Sequence, residues 1–119
     1  MKKVIEIQQE NLNKLIRLMK ENPELRVIPM VDQEVVNSDD YCYWAASFGE
    51  PRIDYIWGDD ERIYFKDDEE DLIEKKRDSM VDEEEFKNFT DEEFDKYAED
   101  YVENLEWEKI ITLNIELPL

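Results

Sequence analysis

The chain has 119 residues, a formal net charge of -19, one cysteine and no histidine. That length supports one hydrophobic core, and the missing histidine and single thiol exclude His-based triads, His-containing or thiolate zinc clusters and dithiol redox chemistry. With 41% hydrophobic and 12% aromatic residues against only two Gly and four Pro, the composition also excludes a disordered acidic tail.

In chain order, Lys3 to Ile7 fits either a short strand or the start of a helix. From Gln9 to Asn22, the residues Leu12, Leu15, Ile16 and Met19 form one apolar stripe, which predicts an amphipathic helix closed by Asn22-Pro23. Arg26 to Val31 and Glu34 to Val36 read as two β-rich arms about Asp32-Gln33, a predicted hairpin. The aromatic runs Tyr41 to Phe48 and Arg52 to Trp57, joined by Gly49-Glu50-Pro51, and then Arg62 to Lys66, predict an antiparallel meander.

After Lys66 the period becomes helical. Asp67 or Asp68 can cap a helix carrying Leu72 and Ile73, and Asp82 with Glu85 can cap a shorter one carrying Phe86 and Phe89. The strongest pattern runs from Asp91 to about Trp107. Thr90 and Glu93 form a capping box, while Phe94, Tyr97, Ala98, Tyr101, Val102 and Leu105 make the inward stripe. Lys109 to Leu117 is a last strand, ended by Pro118 and expected to join the sheet. The expectation is one α+β domain over residues 1–119: helix plus meander to residue 66, an acidic helical segment over 67–108, then a C-terminal strand. Its sheet is antiparallel with four to six strands, preceded by one helix, with two or three acidic helices before the last strand.

Charge is unevenly placed. Residues 59–108 carry 23 Asp/Glu against 7 Lys/Arg, so nearly all of the net charge lies there. A charge run is ordinarily a solvated face that keeps a small protein soluble. Here the cations are too few to neutralise the run, and such repulsion opposes folding without an evident gain. The candidate contacts are therefore Asp67, Asp68, Glu69, Glu70 and Asp71, followed by Asp91, Glu92, Asp95, Glu99, Asp100 and Glu103. Helical rows of carboxylates repeat at about 6 Å, comparable with the spacing of nucleic-acid phosphates. The expected partner is a basic nucleic-acid-binding protein; nucleic acid and anionic membranes would be repelled.

No Gly-rich phosphate loop or nucleophile elbow occurs, and no pair among the 34 carboxylates is singled out for acid–base work. Asp59, Asp60 and Glu61, or Asp67, Asp68 and Asp71, lack the calcium-loop pattern, so no metal or cofactor is expected. Glu85-Phe86-Lys87 matches a nuclease Glu-x-Lys only by chance. Cys42, inside an aromatic run, is expected in the core. A lone cysteine and no charged-then-apolar leader predict a cytoplasmic setting. Among Tyr41, Tyr43, Trp44, Tyr55, Trp57, Tyr64 and Phe65, most are expected in the core, with one alternating pair free to be exposed.

The phrases Asn22-Pro23-Glu24-Leu25, Ile28-Pro29-Met30-Val31-Asp32, Glu34-Val35-Val36, Tyr43-Trp44 and Ser47-Phe48-Gly49 extend over the first half of the chain. Arg62-Ile63-Tyr64-Phe65-Lys66, Leu105-Glu106-Trp107-Glu108-Lys109 and Leu117-Pro118 continue them to its end. Together they resemble a family of small acidic proteins of uncharacterised function found in Firmicutes, their phages and mobile elements. Gln33 departs from the Gly expected after Asp32, which bears only on the turn. The run Glu99 to Glu108 followed by Ile110-Ile111-Thr112-Leu113 is similar in style to phage anti-CRISPR proteins that inhibit Cas9 by mimicking DNA. That likeness implies a non-enzymatic inhibitor bound where a Cas9-type nuclease holds DNA, with a restriction enzyme as the second target. The alternative is an adaptor or regulatory domain that binds a protein through an aromatic sheet face.

Overall fold

The computed structural model describes residues 3–36 and 42–118; Tyr41, which opens one expected strand, lies outside the described residues. The protein is α+β. Its elements are α1 (Val4–Glu21), β1 (Val27–Val31), β2 (Ser47–Phe48), β3 (Arg52–Gly58), β4 (Ile63–Phe65), α2 (Glu69–Met80), α3 (Asp91–Glu103) and β5 (Glu108–Glu116). Short 3-10 turns occupy Gln33–Val35, Lys66–Asp68 and Glu84–Phe86. The five strands form a mixed sheet, and the chain divides into two compact units, Met1–Asp54 with Lys109–Leu119, and Tyr55–Glu108.

In the first unit, Lys3 to Ile7 is helical: α1 starts at Val4, and the Glu6 carboxylate accepts from the Lys3 backbone N–H at 3.3 Å. Its end is closed by Asn22, whose backbone and side-chain N–H groups both donate to the Leu18 carbonyl, before Pro23 stops propagation. The helix lies on β2, and the Asn11 amide donates to the Phe48 carbonyl at 2.9 Å.

The expected hairpin at Asp32-Gln33 does not form. The Asp32 carboxylate accepts from the Glu34 N–H at 3.0 Å and starts a 3-10 turn, while β1 pairs in parallel with β5 from Val27↔Ile111 to Val31↔Ile115. A side chain that captures the backbone two residues on favours such a turn, and Gln33 is poorly suited to the positive φ of a tight hairpin. No described non-glycine residue has positive φ.

Of the antiparallel meander the β3–β4 arm forms, whereas the expected pairing of the first arm with β3 is replaced. Strand β2 pairs with β5 (Ser47↔Glu116, Phe48↔Ile115), the Gly49 N–H continues that register by donating to the Asn114 carbonyl at 2.7 Å, and Thr112 Oγ1 donates to the Arg52 carbonyl. Residues 47–54 thus follow one flank of β5 as an interrupted strand, broken where Pro51 has no N–H to give. Gly49 fits closely there: a Cβ would come within 2.6 Å of the Glu116 carboxylate, which would have to swing aside, and 3.1 Å of Asn114 Cβ. Ile110, Ile111, Thr112 and Leu113 are consecutive buried residues, as befits a central strand rather than an edge. Residues 42–46 form no strand, and Cys42 is exposed instead of buried.

The second unit has its own core of Tyr64, Leu72, Ile73, Met80, Phe86, Ala98 and Val102, with Trp57, Phe94, Leu105 and Trp107 packed around it. The far half of β3 and β4 make an antiparallel hairpin (Ile56↔Phe65 to Gly58↔Ile63). In its turn Asp59 Oδ1 accepts from the Glu61 and Arg62 N–H groups, both at 2.9 Å. Helices α2 and α3 pack on each other, and α3 begins with the expected capping box between Thr90 and Glu93. It ends at Glu103, four residues earlier than expected, where Asn104 donates its backbone and side-chain N–H groups to the Asp100 carbonyl. The Trp107 indole N–H donates to the Val102 carbonyl at 3.0 Å, folding the following residues back over that end. The segment around Asp82 to Glu85 forms only a 3-10 turn, with Phe86 buried and T-stacked on Phe89 and Tyr97.

Candidate partner-binding surface

The second unit spans the acidic block. Helix α3 shows how sequence assigns its three sides. Phe94, Ala98, Val102 and Leu105 point inward, whereas Glu92, Asp95, Glu99 and Glu103, at i, i+3, i+7 and i+11, form an outer ridge of exposed carboxylates. At the helical rise this ridge is about 16 Å long. Between ridge and core, on the opposite flank, lie Tyr97, Asp100, Tyr101 and Asn104, which with Leu105 line an open depression of about 500 Å³.

Asp67 and Asp68 are exposed in the 3-10 turn, and Glu69, Glu70 and Asp71 fill the first turn of α2, where the helix dipole favours negative charge. Tertiary folding brings this run to the end of α3 through one cation. Lys66 Nζ lies 3.1 Å from Glu69 and 2.9 Å from Glu103, and 4.7 Å from the centre of the Trp107 ring. Burial lowers the affinity of that ammonium for its proton, but the hydrogen bonds and charges of Glu103 and Glu69 outweigh it and raise the Lys66 pKa.

Other cations are also engaged within the unit. Arg62 pairs with Asp71 at 3.6 Å, and Lys96 with Asp100 at 3.5 Å. Arg77 Nε lies 3.0 Å from Asp95 Oδ1, close enough for an ion pair but not aligned as a hydrogen bond, which leaves that buried N–H unpartnered. Lys75 sits 2.8 Å from Asp59 and 3.6 Å from Glu61. The Lys75 hydrogen bond first, then the N–H groups of Arg62 and Glu61, hold the Asp59 carboxyl down to about 2. The eleven candidate carboxylates thus divide. Glu69, Asp71, Asp95, Asp100 and Glu103 are in intramolecular pairs, whereas Asp67, Asp68, Glu70, Asp91, Glu92 and Glu99 make no ion pair with any described residue.

Two tyrosines expected inside are outside. Tyr97 and Tyr101 are 41% and 46% exposed, because they flank the inward stripe and a phenol tolerates one wet edge. Lys76 Nζ rests 4.1 Å from the Tyr101 ring centre. In the earlier aromatic run Tyr43 is 93% exposed, while Trp57, Tyr64 and Phe65 are buried or half-buried. Among the described residues no three His, Cys, Asp or Glu side chains gather to hold a metal ion, and no helix is long and apolar enough to cross a membrane.

Fold and surface together define an α+β protein in which one compact unit carries a dense, partly unneutralised acidic face. No protein-family model, curated protein or solved structure matches the chain.

Proposed function

We propose that this chain is a non-enzymatic interaction protein whose 55–108 unit occupies the basic surface of a nucleic-acid-binding protein in place of the nucleic acid. The observation that carries the reading is the segregation of charge: 23 carboxylates and 7 cations on a unit with its own core, with six exposed candidate carboxylates that make no ion pair with any described residue. A rigid scaffold holds these charges in place, so binding does not incur the ordering cost of a flexible acidic tail. Three of them crowd the C-terminal half of α3 or the turn before α2, where solubility alone would be served equally well by charges placed elsewhere.

Among basic partners, a Cas9-type nuclease from the same bacterial host is the first choice and a restriction enzyme the second. The test is inhibition of DNA cleavage by the purified nuclease, with duplex DNA as competitor. Inhibition should weaken at least tenfold between about 50 and about 200 mM salt, as expected when several charges are matched. Reversing Asp67, Asp68, Glu70, Asp91, Glu92 and Glu99 to Lys should abolish it with the circular dichroism spectrum intact. Inhibition that survives those reversals in a folded variant rules the mimic out.

The adaptor reading is favoured by one feature of the first unit: Tyr43 is almost fully exposed, and the buried Trp44 indole N–H has no acceptor among the described residues. Binding that resists salt and is lost in Tyr43→Ser would select it.

A further inference from the structure

We infer that the depression on the flank of α3 is an arginine-reading pocket, filled by the guanidinium of a basic partner protein; this rests on the proposed binding of such a partner. The lining of Tyr97, Asp100, Tyr101, Asn104 and Leu105 contains a carboxylate, two phenols, an amide and an apolar floor, and no cation. Tyr101 also lines a second depression of about 280 Å³ that includes Lys76, and the Lys76 ammonium already rests 4.1 Å from the Tyr101 ring centre. The same ammonium lies 6.0 Å from the Tyr97 ring centre, so both rings of the first depression already attract a cation from their edge, while no cationic side chain lines that depression itself.

The polar groups favour the same occupant. Asn104 Nδ2 is engaged with the Asp100 carbonyl at 2.8 Å, so the side-chain oxygen is the end left to accept from a ligand. Asp100 Oδ2 lies 3.5 Å from Lys96, but both side chains are more than half exposed, so this is a loose pair that a better donor displaces. A guanidinium has only donors, arranged in a planar fork that matches a carboxylate and stacks on aromatic rings. An ammonium offers a point charge without the fork or the plane. The surrounding field, from a unit with 23 carboxylates, draws in either cation, and the pocket discriminates between them.

The experiment compares a hexa-arginine with a hexa-lysine peptide, which carry equal charge, by fluorescence anisotropy against the full chain at about 150 mM salt. The arginine peptide is expected to bind about fivefold more tightly, a size consistent with stacking on exposed rings. Tyr101→Leu, which keeps helix propensity and apolar bulk, should bring the two affinities to parity with the melting temperature little changed. Asp100→Asn should also reduce the preference, whereas Lys96→Ala should enlarge it by releasing Asp100. Equal affinity of the wild type for both peptides, or a preference that persists in Tyr101→Leu, overturns the pocket while leaving the acidic face standing. Binding of neither peptide overturns both, and affinities for both peptides that are unchanged by the six charge reversals overturn the acidic-face reading alone.

Discussion

Asp59 joins more of the second unit than its place in a β-turn suggests. One oxygen closes the β3–β4 turn on two backbone N–H groups, and the other receives the Lys75 ammonium of α2. Each interaction favours the ionised carboxyl, which is why it is held to about 2, while the same pair raises the pKa of Lys75. The sign follows from linkage: a depressed acid contributes stability above its unfolded value of 3.8, and this is lost as pH falls through about 2. For Lys75 the contribution is present below the ordinary lysine value of 10.5 and disappears as pH rises through the raised folded value. Lys75→Ala should therefore move the Asp59 titration midpoint, followed by NMR of its carboxyl carbon, upward toward the ordinary carboxylate range. An unchanged midpoint would mean that the two backbone donors alone set it.

At the scale of elements, α3 is well started and poorly finished. Thr90 and Glu93 satisfy two of its first N–H groups, and three acidic residues, Asp91, Glu92 and Glu93, favour its positive end. Thr90→Ala should cost about 1 kcal/mol, read from urea unfolding. The last turn holds no basic residue, and Glu99, Asp100 and Glu103 face the negative end of the dipole. Lys66 and Lys96 offset two of these charges, while Glu99 has no ion pair among the described residues. Glu99→Lys should therefore raise the melting temperature by about 2 °C while weakening binding to a basic partner. That opposition between stability and binding is what a charge retained for contact produces; if the substitution weakens neither binding nor inhibition, Glu99 is not a contact.

For the molecule as a whole, the net negative charge is concentrated in the 55–108 unit, and its internal pairs do not neutralise it. Repulsion between exposed like charges within a Debye length is screened by salt, so the melting temperature should rise by several degrees from about 20 to about 200 mM NaCl. A flat response in calorimetry would show that the carboxylates lie too far apart to repel. The same screening should weaken partner binding, so stability and binding respond to salt in opposite senses.

The sequence by itself determined what depends on neighbours within one or two turns. The helices α1 and α3, the Thr90 capping box and the apolar run of β5 all follow from periodicity and capping over a few residues, although Ile16 and Met19 of the expected α1 stripe are half exposed and no residue of that helix is fully buried. So did the placement of charge outside and aliphatic residues inside α3. Tertiary structure alone decided that β5 would be a central strand with β1 parallel to it, because strand partners are chosen by burial and register across some 80 residues of chain. It also decided which carboxylates remain free. Glu103 meets Lys66 across 37 residues and Asp95 meets Arg77 only when α2 packs on α3, contacts that no local spacing encodes. The flank of Tyr97 and Tyr101 belongs to the same class. Periodicity put both on the inward stripe, but the core already formed by Ala98, Val102 and Phe86 left their rings half outside, where a partner can reach them.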